Sequence, residues 1–297
     1  MTRRRALVLC TLALGGCAEI DPRFYLGQVC DEFDPDQIFC TDFEEPTLEQ
    51  WDDYDENPDE MNVVVLDPGP RGLDGNHVMR LRPLPGPSNV DLVKVLPGYY
   101  DALYVRWYAK WEQGYDLTGN AALWPGLHAG SRDTLGVSDS RPIGDDRFTV
   151  LLSHDPTTHQ LVTKLDYRGM YQDCADPIAA CYRDILPCLG GADDPRCAKP
   201  QHRLAASSRA IEKDRWYCIE LFVDAGTPVA EDSQADGRLG LWLDDAPVVE
   251  FSDLWFRTHP NLKLAILWLL EYAGSEHGDE GVLYDDVVVS RARIGCE

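Results

Sequence analysis

Leu103-Tyr-Val-Arg-Trp-Tyr-Ala-Lys-Trp111 is the stretch of sequence that decides the fold. Apolar residues fill every second position from Leu103 to Trp111, while Arg106 and Lys110 stand at intervening positions. A period of two is typical of a strand that has one face in the core and the other in solvent. The stretch therefore predicts a half-buried β-strand with Trp107 in the core.

The same alternation recurs along most of the 297-residue chain, for example in Gln160–Arg168. Helical periodicity is scarce, and the strands do not alternate with helices as they do in α/β proteins. Many short strands separated by turn signals predict an all-β fold, an antiparallel β-sandwich. The other predicted strands are Val63–Leu66, His77–Arg82, Phe148–Ser153, Trp216–Val223, Arg238–Leu243, Leu262–Tyr272 and Leu283–Ser290.

The N-terminus has a different pattern. Arginines at positions 3–5 precede the apolar run Ala6–Leu14, which is too short to span a bilayer. This arrangement predicts a secretory signal over residues 1–16. Its tail, Leu14-Gly-Gly-Cys17, resembles the lipobox of bacterial lipoproteins, which implies a lipid on Cys17 and a tether over residues 17–36. An ordinary signal peptide with an accidental cysteine is the alternative.

The residue after that cysteine bears on the destination of the protein. It is Ala18, whereas an aspartate at this place is associated with retention in the inner membrane. We therefore expect an exported protein, anchored by its lipid to the bacterial outer membrane on the periplasmic face or the cell surface. Residues 37–297 are predicted to form one domain, whose only contact with the membrane is the lipid.

The predicted export determines the expected oxidation state of the cysteines. Of the ten, Cys10 lies in the signal and Cys17 carries the lipid, which leaves an even number. In an oxidising compartment they are expected to form disulfides. Four fall within residues 174–209, which have little periodicity and are interpreted as a disulfide-rich insertion. A zinc site made by the same four is the alternative, although the C-x₂-C spacing of zinc ribbons is missing.

Charge excludes one class of partner. The chain has 51 acidic residues against 27 Lys and Arg, a net charge of −24. Such a surface repels nucleic acid and anionic lipid headgroups. It also disfavours a polyanionic glycan, unless basic residues cluster at the binding site. Solubility on a crowded cell surface is an alternative explanation of the charge.

Six segments of the chain carry a resemblance to a known family, and they stand in the right order. The segments are Cys40–Glu45, Leu103–Trp111, Trp124–Gly130, Asp214–Glu220, Asp236–Asp244 and Leu283–Ser290. They resemble concanavalin A-like lectin/glucanase jelly rolls, and among these the alginate- and glucuronan-lyase-like branch. The resemblance implies a jelly roll over residues 37–297, interrupted by the insertion at 174–209.

The sequence departs from these relatives in two places. Leu123 stands where the lyase-like branch has the lysine of its K-L-P-G-L motif. Leucine can neither neutralise a uronate carboxylate nor hold a proton. The sequence also lacks an E-x-D-x-E strand, with which glucanases of this fold place their paired carboxylates. Inherited hydrolysis is therefore not expected.

β-Elimination of a uronate remains possible. It needs a cation near the carboxylate, a base for the ring proton and an acid for the leaving oxygen. Arg106 and Tyr108 share one strand face, and Lys164 lies on another. If these faces adjoin, they form a basic groove in which His128 acts as the base and Tyr108 as the acid. The alternative is a solvated face on which Arg106 and Lys110 pair with acidic residues.

Binding of a glycan without cleavage requires no base or acid. Sugar rings stack their apolar faces on aromatic side chains, and their hydroxyls bond to polar groups. Trp124, Tyr108 and Trp242 are the candidate platforms, with Lys110 and Arg168 as polar partners. Trp242 could equally pack under the insertion.

The resemblance also implies a structural calcium ion, held by Asp285 with Asp42 or Glu44, and no catalytic cofactor. Oxygen ligands of this kind suit calcium. The terminal strands of such sandwiches lie together, so a Cys40–Cys296 disulfide is reasonable. Cys30–Cys40 is the rival pairing.

Three functions follow from these observations. The first is a surface-anchored lipoprotein of lectin-like fold that binds a polysaccharide. The alternative is a polysaccharide lyase that cleaves uronate glycans. The further alternative is a structural lipoprotein of the envelope.

Overall fold

The alternating stretch forms a strand whose apolar side lies in the core, as predicted. In the computed structural model, Leu103, Val105 and Trp107 are fully buried and Trp111 is nearly so. The structure describes residues 29–30, 34–45, 47–54, 62–83, 88–118, 123–137, 140–170, 184–188, 209–273 and 280–296.

Two antiparallel sheets stack face to face, and the main core lies between them. We call the larger one sheet A and the other sheet B. Sheet A contains β1 (Gln37–Thr41), β3 (Asn62–Leu66), β4 (His77–Leu81), β6 (Ala102–Trp111), β11 (Tyr217–Asp224), β12 (Gly237–Leu243), β13 (Ala246–Leu254) and β15 (Val282–Ser290). Sheet B contains β2 (Asp53–Tyr54), β5 (Ser88–Tyr100), β7 (Trp124–Gly130), β8 (Arg147–His154), β9 (Leu161–Asp166), β10 (Asp184–Leu186) and β14 (Leu264–Ala273).

The all-β sandwich is confirmed, and each predicted strand coincides with an observed one to within about two residues. In sheet A the order is β13-β12-β11-β6-β15-β4-β3, and β1 pairs with the other half of β15. In sheet B it is β10-β9-β8-β7-β14-β5-β2. Strands β12 and β13 are joined at Asp244 and Asp245, whose φ angles of 50° and 63° suit a type I′ turn.

Two disulfides join described residues: Cys30–Cys40 and Cys218–Cys296. The predicted Cys40–Cys296 bridge is therefore wrong, and its rival Cys30–Cys40 is present. The terminal strands do lie together, as β1 pairs with β15. However, the chain continues past β15 and turns over β11, which brings Cys296 to Cys218 instead of Cys40.

Several predictions fall outside the described residues. These are the signal peptide, the lipid on Cys17 and most of residues 174–209. Within that insertion the described Cys188 is disulfide-bonded, as expected of a disulfide-rich segment. In the ranges that the structure covers, no helix is long and apolar enough to cross a membrane.

Candidate functional site

The residues expected to form one catalytic groove lie on different sheets. Arg106 and Tyr108 belong to β6 of sheet A, while His128 lies on β7 and Lys164 on β9 of sheet B. Neighbours of all four in sequence fill the core between the sheets. Because side chains alternate along a strand, the four point outward on opposite sides of the sandwich. The single groove is therefore wrong, although Lys164 and His128 do share a face.

The predicted base, His128, is fully buried. Its Nδ1 lies 2.8 Å from Thr149 Oγ1 and its Nε2 lies 3.1 Å from Thr134 Oγ1. Burial lowers the pKa of His128 from 6.5 to about 4, so the imidazole is neutral at pH 7. Both nitrogens are already engaged, which leaves neither one for a substrate proton in this conformation.

The loop of residues 131–137 covers this part of sheet B. Leu135 packs on the outer face, a Cβ on Gly136 would lie 3.5 Å from Trp268, and Arg132 forms an ion pair with Asp53. A second apolar cluster lies beneath the loop. Its buried members are Val93, Leu123, Leu151, Ala265, Ile266, Trp268 and Leu270.

Two predicted glycan contacts are placed elsewhere than expected. Trp124 is fully buried, stacks on His154 with 4.8 Å between ring centroids, and donates a 3.3 Å hydrogen bond to Tyr115 Oη. The prediction of Trp124 as a platform is wrong, because the Pro-Gly segment after it is strand β7 and not a loop. Arg168 lies 4.7 Å over the ring of Trp255.

On sheet A, the basic residues of β6 are held by their neighbours. Lys110 forms a 2.6 Å ion pair with Asp67 and lies 5.1 Å over the ring of Trp216. This contact agrees with the alternative in which the face is salt-bridged. Arg106 is only 2% exposed and lies 5.2 Å over the ring of Tyr108, which is itself buried.

An aromatic row, Tyr104, Phe222 and Trp242, crosses the outer face of sheet A. Tyr104 and Phe222 are paired across β6 and β11 with their rings 4.4 Å apart, and Trp242 lies 6.4 Å from Tyr104. Arg238 lies 5.3 Å over Phe222, and Arg293 lies 4.7 Å over Trp242. Tyr104 and Trp242 remain partly exposed. Sequence reasoning found Trp242 and missed the other two.

A signal for the missed residues was present in the sequence. Tyr104 and Phe222 each stand between two core residues of an alternating strand, which places them on the outer face. Their proximity follows from the pairing of β6 with β11, which the sequence alone does not give.

The predicted calcium ligands do not converge as a set. Among the described residues no three His, Cys, Asp or Glu side chains are grouped to hold a metal. Glu44 instead accepts a 3.2 Å hydrogen bond from the backbone of His77, and Asp42 accepts one of 3.3 Å from the backbone of Glu44. The predicted calcium ion, held by Asp285 with Asp42 or Glu44, therefore stays a prediction.

Buried polar groups surround Asp285 itself. This carboxylate is fully buried and accepts a 3.0 Å hydrogen bond from Asn76, while a Cβ on Gly69 would lie 2.8 Å from it. Burial, followed by the charge of Asp286, raises the pKa of Asp285. Arg71 pairs with Asp286 at 3.1 Å. The Asp285 carboxylate is an oxygen ligand of the kind that a hard cation such as calcium prefers, whereas Asn76 presents its amide nitrogen to it.

Comparison with known proteins gives the fold a context. No family model and no curated protein matches the sequence. The alginate lyase vAL-1 from Chlorella virus matches with a TM-score of 0.55 and 11% identity, over 82% of this chain and 93% of that one. The endo-β-1,4-glucuronan lyase of the fungus Trichoderma reesei matches with a TM-score of 0.51 and 14% identity, over 86% and 96%.

A third solved structure is similar to the same extent. It is the cellulose induced protein Cip1, with a TM-score of 0.53 and 14% identity, over 87% of this chain and all of that one. At identities this low the likeness concerns the fold alone. The chain therefore has the β-sandwich fold of alginate and glucuronan lyases.

Proposed function

We propose that this protein binds a polysaccharide on the outer face of sheet A. The observation that carries the proposal is the aromatic row Tyr104, Phe222 and Trp242, with Arg238 over the ring of Phe222. Aromatic side chains beside planar polar groups match the mixed apolar and hydroxylated surface of a sugar ring.

Cleavage of a uronate polysaccharide by β-elimination is the second candidate, and the comparisons favour it over simple binding. Solved structures similar in fold include two double mutants of alginate lyase Aly36B, one in complex with an alginate trisaccharide and one with a tetrasaccharide, both with a TM-score of 0.51. For this chain the reaction would use Lys164 and His128 on sheet B. It requires the loop of residues 131–137 to leave His128, and an acid other than Tyr108.

We also propose that the domain is exported, lipidated on Cys17 and bound to the outer membrane. The basic and apolar start of the sequence and its lipobox-like Leu14–Cys17 tail support this. Labelling of cells with a fatty-acid analogue tests it, since the label should appear in the wild-type protein and be absent from Cys17→Ala. Equal labelling of both would contradict lipidation at this residue.

A structural calcium ion completes the proposal. Asp285 would hold it, next to β15 and the turn before β4, and Asn76 would turn its amide oxygen toward the ion in place of the Nδ2 that now faces Asp285. The ion would supply positive charge to a buried carboxylate and so stabilise the seam where β15 pairs with β4 and β6.

The deciding experiment incubates the purified protein with uronate and neutral polysaccharides. Retarded migration in a glycan-containing gel, without new ultraviolet absorbance, is the expected result and supports binding. New absorbance from unsaturated uronate ends would support the lyase and overturn the first candidate. Neither signal would leave the structural envelope lipoprotein as the function.

A further inference from the structure

The C-terminal segment of residues 291–296 lies across the outer face of sheet A. The Cys218–Cys296 disulfide fastens its end to β11. Asp245, in the turn between β12 and β13, accepts 3.2 Å hydrogen bonds from the backbone of Cys296 and from the side chain of Arg293. The segment is therefore attached to β11 and to the turn between β12 and β13.

Glu220 of β11 lies beneath this segment and is fully buried. Its carboxylate accepts hydrogen bonds from the backbone N–H of Ile294 at 2.7 Å, that of Gly295 at 3.2 Å, and Arg293 Nε at 3.3 Å. Gly295 has a φ of 76°, a left-handed conformation that glycine adopts without strain. The segment thus occupies an acceptor that would otherwise face outward from the sheet.

Glu220 is the middle of a row of three paired residues. It pairs with Arg106 on one side and with Trp242 on the other. Adjacent strands lie about 4.8 Å apart, so the row has the length of one to two sugar rings. The pair Tyr104 and Phe222 lies next to the pair Arg106 and Glu220, two residues along the same two strands.

The other two of these paired residues are Trp242, whose ring is covered, and Arg106, which has an unpaired Nε among the described residues. The Arg293 guanidinium lies 4.7 Å over the indole of Trp242. Arg106 is 2% exposed, and its Nε has no hydrogen-bond partner among the residues that the structure describes. A buried donor without a partner costs free energy, roughly 1–3 kcal/mol for a neutral group and more for a charged one. Among these three paired residues, the Nε donor of Arg106 is therefore unused, the carboxylate of Glu220 is already bonded to the segment, and the ring of Trp242 is covered by Arg293.

We propose that residues 291–296 form an autoinhibitory strap over a second saccharide subsite, made by Arg106, Glu220 and Trp242. This inference rests on the proposed polysaccharide binding and extends the aromatic row by one subsite. The strap supplies to Glu220 the N–H donors that sugar hydroxyls would supply, and Arg293 takes the place of a sugar ring on Trp242. Each contact of the strap thus stands in for a contact of the ligand.

The charges of the subsite select the class of sugar. Arg106 is flanked by Glu220, its partner on β11, and by Asp286, whose carboxylate it stabilises electrostatically. A uronate carboxylate would meet both of these anions, whereas a neutral pyranose would meet only hydrogen-bonding groups. The ligand of this subsite is therefore a neutral pyranose.

Cys218–Cys296 is the covalent latch of the strap. A dithiol reductant opens it by two successive exchanges, in which one thiolate attacks a sulfur and the second thiol then displaces the mixed disulfide. Two electrons and two protons pass to Cys218 and Cys296, and the reductant becomes a cyclic disulfide. The strap is then held by hydrogen bonds and the Arg293 contact alone.

The test compares wild type, the double variant Cys218→Ser/Cys296→Ser, and Arg293→Ala, which keeps the latch and uncovers Trp242. The matched control is Cys30→Ser/Cys40→Ser, which removes the other disulfide that has both of its cysteines among the described residues. Calorimetric titration with a neutral β-1,4-linked gluco-oligosaccharide gives the affinity, and acrylamide quenching of tryptophan fluorescence reports release of the strap. We expect at least tenfold tighter binding by both test variants, no gain in the control, and loss of the gain when Glu220→Gln is added.

The outcomes separate this inference from the proposed function. Wild-type binding that does not tighten in either test variant, with quenching that shows the strap released, would overturn the strap alone. Absence of binding in every protein would overturn both proposals. Tighter binding of a uronate oligosaccharide than of the neutral one would overturn the choice of ligand. If the double variant unfolds, Arg293→Ala decides by itself.

Discussion

The phenol of Tyr115 donates a hydrogen bond of 2.5 Å to the carboxyl group of Glu271 in the interior of the sandwich. Tyr284 donates to the other oxygen at 3.5 Å, and Glu271 is fully buried. Burial raises the pKa of Glu271 well above its ordinary value, although the two phenols act in the opposite direction. Glu271 lies on β14 of sheet B and Tyr284 lies on β15 of sheet A. One carboxyl group in the core thus joins the two facing sheets.

We predict that Glu271 makes the protein less stable as the pH rises. Its folded-state pKa lies above the 4.5 of the unfolded chain, so above pH 4.5 the folded state keeps a proton that the unfolded state has lost. Stability is then lost as the pH rises toward the raised pKa. Glu271→Gln keeps the hydrogen bonds and removes the titration. Urea midpoints at pH 5 and pH 8 should fall less in this variant, and an equal fall in both proteins would contradict the prediction.

The buried histidines should have the opposite dependence. Burial lowers the pKa of His128 and of His154 from 6.5 to about 4. Between these values the unfolded chain binds protons that the folded protein does not, so stability falls as the pH drops from 6.5 to 4. Each histidine contributes at most about 3 kcal/mol to this loss.

The variant His128→Gln tests this dependence, because glutamine can still bond to the two threonines and does not titrate. Its urea midpoint should fall less than that of wild type between pH 7 and pH 4.5. The exposed His259→Gln is the control and should behave as wild type. The same loss in all three proteins would rule out His128 as a source of acid sensitivity.

Removal of one ring from the aromatic row should weaken glycan binding. Tyr104 is partly exposed and stacks on Phe222 at 4.4 Å. We expect Tyr104→Ala to reduce affinity about tenfold, equivalent to about 1.4 kcal/mol. Tyr99→Ala is the matched control, since Tyr99 is 75% exposed on β5 of sheet B. Affinity electrophoresis that shows equal effects of the two substitutions would remove the row from the binding site.

Calcium should raise the melting temperature through Asp285. Binding to the folded state alone stabilises by about 2.7 kcal/mol when calcium is 100 times above its Kd. A chelator should reverse the effect, and Asp285→Asn should abolish it. Glu250→Gln on exposed β13 is the control and should respond as wild type does. A calcium-dependent shift that persists in Asp285→Asn would place the ion elsewhere.

A methyl group at Gly126 should disrupt the contact of β7 with β8. A Cβ there would lie 1.9 Å from the backbone oxygen of Val150, at the irregular register between these strands. Backbone atoms cannot move aside as a side chain does, so Gly126→Ala should destabilise by about 1–3 kcal/mol or more. Gly98→Ala, whose Cβ would meet only the end of the Tyr100 side chain, is the control. Equal urea midpoints for the two variants would contradict the close backbone contact between β7 and β8 at Gly126.

The sequence pattern was sufficient for the strands whose two faces differ, such as β6 and β9. It failed for β7 and β5, for physical reasons. Strand β7 begins Trp-Pro-Gly and is buried on both faces, so it has a turn signal where it bulges and little polar alternation. The end of β5 also contains Pro-Gly, at positions 97–98.

The site could be predicted only in part, because alternation gives the face of a residue within its own strand and not the sheet to which the strand belongs. Arg106 and Lys164 have the same pattern around them, yet they lie on opposite sides of the sandwich. Likewise, Cys218 could not be matched to Cys296 without the path of the chain after β15. Pairings between distant strands decide such questions.

Strand β15 has a consequence for the order of events during biogenesis. It lies between β6 and β4 in sheet A and also pairs with β1, although it is the last strand in the sequence. Strand β1 therefore cannot pair with β15 until almost the whole polypeptide has been synthesised. Contacts so far apart in sequence make folding slow. A polypeptide that stops before residue 282 would therefore lack the strand that joins β6 to β4 and β1.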